Sequence, residues 1–75
     1  MDNDIPVEVK LALLEQEQQM WHNSRYVFEV RARVNKRIGN VEKVVACEKE
    51  LENCEKALDA LAEEVKALQT KNLGA

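Results

Sequence analysis

From Val44 to Leu68 the residues Val44, Cys47, Leu51, Cys54, Leu58, Leu61, Val65 and Leu68 recur at alternating steps of three and four. On an α-helix of 3.6 residues per turn that alternation keeps one apolar stripe on one side, as in the seam of a coiled coil. A lone helix would leave the stripe in water. The first half of the chain carries a matching ladder in Val7, Leu11, Leu14, Gln18, Trp21, Arg25, Phe28, Ala32 and Asn35. Between the two stands Gly39-Asn40, where glycine reaches the left-handed conformation that ends a helix and asparagine caps the next one.

Folding back at that point brings the ladders into register. Leu11 meets Leu68, Leu14 meets Val65, Trp21 meets Leu58, Phe28 meets Leu51 and Ala32 meets Cys47, while Gln18, Arg25 and Asn35 fall level with Leu61, Cys54 and Val44. The pattern therefore predicts an all-α fold: a two-helix antiparallel coiled-coil hairpin in which residues 1–75 form one domain. Its helices span about 5–38 and 41–72, with the turn at 39–40. Asp4 is placed to cap the first helix, with Pro6 in its first turn and Glu8 near its positive end. His22-Asn23-Ser24 is the weakest point of that helix, but the seam keeps its phase across these residues and predicts continuity. Gly74 is a suitable terminator for the second helix.

A second apolar set stays outside the seam: Val9, Leu13, Met20, Val27, Val30, Val34, Ile38, Val41 and Val45. Soluble monomers rarely leave so long an apolar strip in water, so the strip reads as a self-association surface. Met20, Val27, Val30, Val34, Ile38, Val41 and Val45 are its expected interface residues. Two or more hairpins, a homodimer first, would assemble into an oligomeric helical bundle.

Composition adds to this picture only at a few points. Charged residues make up 33% of the chain and aromatics 4%, with two glycines and one proline, which suits long helices rather than a sheet or barrel. A net charge of −3 argues against a general polyanion binder. With no secretory apolar segment, no run long enough to span a bilayer and no N-x-Ser/Thr site, the expected location is cytoplasmic, with no membrane partner. Up to Asn40 there are six acidic and six basic residues, and beyond it eight acidic and five basic. A hairpin is expected to set Arg31 beside Glu48, and Arg25 is expected to reach out of the seam toward Glu55.

Candidate chemistry is sparse. Cys47 and Cys54 lie roughly 10 Å apart along one helix face, too far for a disulfide within the chain, and read as small buried thiols, with an intersubunit disulfide or redox role as the alternative. With one histidine and no C-x-x-C pair there is no metal set, and Gly-rich phosphate loops and nucleophile motifs are absent. No catalytic residue, cofactor or metal is expected. Trp21, His22, Arg25, Tyr26, Arg33, Lys36 and Arg37 are the candidate contacts for a partner protein or nucleic acid. Two functions follow as expectations: a non-catalytic structural or adaptor protein that self-associates and docks a partner protein, in the manner of an assembly factor, or a small regulatory protein that binds nucleic acid through Arg25–Arg37.

Overall fold

Two long helices form because neither ladder is interrupted by glycine or proline. The computed structural model of the protein describes residues 5–74, in which α1 runs Val7–Arg37 and α2 runs Val41–Gly74. The two helices pack against each other as a hairpin with overall dimensions of 55 × 19 × 16 Å. One unbroken helix of this chain would be roughly 100 Å long.

Pro6, in extended backbone at φ −61° and ψ 151°, stands just before α1 rather than in its first turn, and no side chain caps this end. Its carbonyl accepts from the backbone N–H groups of Val9 and Lys10, each at 3.1 Å. The expected cap, Asp4, lies outside the described residues. Through His22, Asn23 and Ser24 α1 is continuous.

The reversal is a compact hydrogen-bonded motif. Gly39 has φ +77°, its N–H donates to the Lys36 carbonyl at 3.2 Å, and the Asn40 N–H donates to the Asn35 carbonyl at 2.9 Å. These two bonds are the Schellman pattern, which satisfies carbonyls left over at a helix end. Asn40 then starts α2: its carbonyl accepts from the Val44 N–H at 3.1 Å and its Oδ1 from the Lys43 N–H at 3.4 Å. The second of these is long and therefore weak.

Packing follows the ladders. Among the described residues only Cys47 and Cys54 are buried, at 7% and 1% exposed. Every other member of the two ladders is half-buried. Two helices meet along a line rather than around a volume, so large side chains on that line keep a wet edge. Small thiols close the gap completely. No side-chain nitrogen or oxygen buried among the described residues lacks a partner.

The charge pairing differs from the expected one. Ion pairs among the described residues run along the helices: Arg25–Glu29 at 3.3 Å and Lys56–Glu52 at 3.2 Å. Arg25 takes the carboxylate one turn along its own helix instead of reaching for Glu55, because an i,i+4 partner needs no reach across the seam. Arg31 makes no ion pair with Glu48. Arg31 belongs to the flank of the seam formed by residues just before Leu11, Gln18, Arg25 and Ala32, whereas Glu48 lies on the opposite flank. Instead, its guanidinium sits 5.4 Å from the Phe28 ring centroid, and it lines a shallow depression with Lys43 and Glu50.

Candidate interaction surfaces

On α1, each residue of the outer apolar set falls two positions after a seam residue. Two positions turn the helix by about 200°, so most of this set points away from α2, while Leu13 also reaches a flank it shares with Ala67 and Leu68 of α2. Its exposure is high: Val9 46%, Leu13 49%, Met20 61%, Val27 42% and Val34 52%. Val30, between Val27 and Val34, is half-buried. At the turn, Ile38 and Val41 are each 70% exposed, and Val45 follows at 47%.

The turn divides this set. Val30 and Val34 share a shallow depression with Arg33 and Arg37. Val41 lines a different one with Asn35, Lys36, Gly39 and Val44.

The Trp21–Tyr26 window is spread around the helix rather than gathered in a pocket. Trp21 is half-buried in the seam, His22 is exposed and Tyr26 is 63% exposed. Asn23 accepts from the Gln19 side-chain amide at 2.9 Å, and Arg25 is held by Glu29. Within the basic run, Arg31 is engaged with Phe28, while Arg33, Lys36 and Arg37 are exposed and make no ion pair with any described residue.

Both cysteines are free thiols. Withdrawal from solvent pushes the Cys54 thiol above its ordinary value, Glu50 and Glu55 raise it further, and Arg25 opposes them. Such a thiol stays protonated and unreactive at neutral pH. Among the described residues no group of three or more His, Cys, Asp or Glu is placed to hold a metal ion.

Sequence reasoning missed a groove at the end of the hairpin away from the turn. It is an open groove of about 490 Å³, with Leu13, Leu14, Ala67 and Leu68 as its apolar floor and Lys10, Glu17, Glu64 and Lys71 as its charged lining. The signal was available: Lys10 and Glu17 are spaced by two helical turns on α1, and Glu64 and Lys71 repeat that spacing in reverse on α2.

No helix among the described residues is long and apolar enough to cross a membrane. No protein-family model, curated protein or solved structure matches the chain.

Proposed function

We propose that this protein is a small non-catalytic structural or adaptor protein that self-associates through its helices and docks a partner protein. The observation that carries this reading is the outer face of α1 and the turn, where Met20, Val27, Val34, Ile38, Val41 and Val45 stand 42–70% exposed. Apolar side chains this exposed, on α1 up to the turn and again just beyond it, are what a helical interface buries. A homodimer through this face is the first assembly, and the cytoplasm is its simplest setting.

The non-catalytic reading draws its support from architecture. Helix pairs build reactive sites from inward carboxylates and histidines, whereas the seam here is mostly valine, leucine, cysteine and aromatic groups, with Gln18, Arg25 and Asn35 as its polar members. His22 stands on an exposed surface without walls to exclude water.

Light scattering or sedimentation equilibrium at micromolar concentration tests the reading. The wild type is expected to exceed monomer mass, and Val34→Glu with Ile38→Glu is expected to lower that mass while helicity is retained, since assembly would have to strip water from two new carboxylates. A wild type that stays monomeric at full helicity, or a mass unchanged by the double substitution, overturns it.

A second reading is favoured by one feature, the three exposed cations Arg33, Lys36 and Arg37 that pair with no described carboxylate. Here the protein is a small nucleic-acid-binding regulator that contacts phosphates through this segment. Binding to a generic duplex that weakens steeply with salt separates it from the adaptor reading. Replacing the three cations by glutamine should abolish that binding.

A further inference from the structure

We infer that the groove at the open end of the hairpin is a docking site for a second copy of this chain, related by a two-fold axis that reverses the hairpin's long direction. The inference rests on the self-association reading and adds a separate contact to it, at the opposite end of the molecule from the turn.

The charge arrangement in the groove carries the argument. Nearer the turn this flank sets opposite charges together, where Arg31 shares a depression with Glu50. At the open end it sets like with like. Lys10 and Lys71 both lie toward the chain termini, and Glu17 and Glu64 both lie toward the turn, around one groove. Within each helix the lysine and the glutamate are seven residues apart, roughly 10 Å by helix rise. None of the four makes an ion pair with another described residue.

Within one chain this is unfavourable, because like charges across a helix pair repel. Between two copies it is complementary. A two-fold axis lying in the interface and crossing both helices places the lysine pair of each copy over the glutamate pair of the other. An isologous contact of this kind needs one self-complementary patch, and a groove with opposite charges at its two ends is such a patch. The floor supplies apolar surface to bury, including Leu13, which is 49% exposed. The other symmetric arrangement, with the long directions parallel, would stack lysine on lysine and glutamate on glutamate. The small floor sets the strength: such a contact is at the weak end of specific interfaces, with Kd between roughly micromolar and millimolar.

The experiment isolates this contact by using the Val34→Glu, Ile38→Glu protein as background, in which the turn-end face is disabled. In that background, sedimentation equilibrium up to near-millimolar concentration should still show a monomer–dimer equilibrium that weakens with added salt. Two further variants are made in it: Lys10→Glu with Lys71→Glu, and Glu17→Lys with Glu64→Lys. Each alone should raise the dimer Kd by about tenfold or more, the scale expected when several exposed charge pairs turn repulsive together. An equimolar mixture should recover association to at least the level of the background protein, because an all-acidic groove then meets an all-basic one. Recovery in the mixture also shows that each variant is folded.

A background protein that is monomeric throughout overturns the inference, and so do masses unaffected by either charge reversal, which would leave the groove to a different chain. Both outcomes leave the turn-end contact standing if Val34→Glu with Ile38→Glu lowered the wild-type mass. If that pair of substitutions changed nothing while the charge reversals dissociated the protein, the turn-end reading fails and the groove contact stands.

Discussion

Gly39 offers the sharpest test of the hairpin. Its φ of +77° lies in the left-handed region, and an added Cβ would meet no atom within 4 Å. The cost of Gly39→Ala is therefore conformational alone. Holding an L-residue in the left-handed region costs roughly 1–2 kcal/mol. Restricting the unfolded chain offsets about 0.4–1 kcal/mol of that. The net expectation is a loss of about 1 kcal/mol, equivalent to a fall in Tm of about 4–8 °C for a chain of this size. Gly39→Asn should cost less than alanine, because asparagine tolerates the left-handed region better. Urea denaturation followed by far-ultraviolet circular dichroism is the assay, with protein concentration held fixed because any self-association would make the midpoint concentration-dependent. The m-value should not change. An alanine variant as stable as the wild type would refute the left-handed turn. A loss above roughly 3 kcal/mol would show a steric neighbour where open space is expected. A doubled mass with helicity intact would mean that the two helices had run on into one and exchanged partners.

Leu58→Ala should destabilise the hairpin by about 2 kcal/mol, the low end of the range for buried leucine truncations, because Leu58 is only half-buried. A shift in Trp21 fluorescence should accompany it if the two share a layer of the seam, and unchanged emission would remove that pairing. Cys54, at 1% exposed, should react with a thiol reagent far more slowly than an unfolded control, and reaction at the control rate would contradict its burial. Its raised pKa also has a sign: the protonated thiol favours the fold, so this contribution is whole below about pH 8.5, the unfolded thiol value, and is lost as pH rises through the higher folded value. Urea midpoints measured between neutral and alkaline pH should therefore fall more steeply for wild type than for Cys54→Ala.

The sequence by itself determined the two helices, the face each turns toward the other and the place where the chain reverses. Each of these is local or periodic information: a three-four alternation fixes a helix face, and Gly39-Asn40 fixes the reversal through backbone freedom and capping. The set of outward apolar residues on α1 was legible for the same reason, since counting two positions from the seam marks the far side of the helix. What only the tertiary structure decided depends on which flank of the seam a residue occupies once the helices lie side by side. Arg31 and Glu48 are level along the hairpin yet on opposite flanks, and a register read along one dimension does not separate them. Val34 and Val41 line different depressions on either side of the turn. Lys10, Glu17, Glu64 and Lys71 are distant in the chain and unremarkable one by one; they become a patterned groove only when the antiparallel packing sets both helix ends around the same apolar floor.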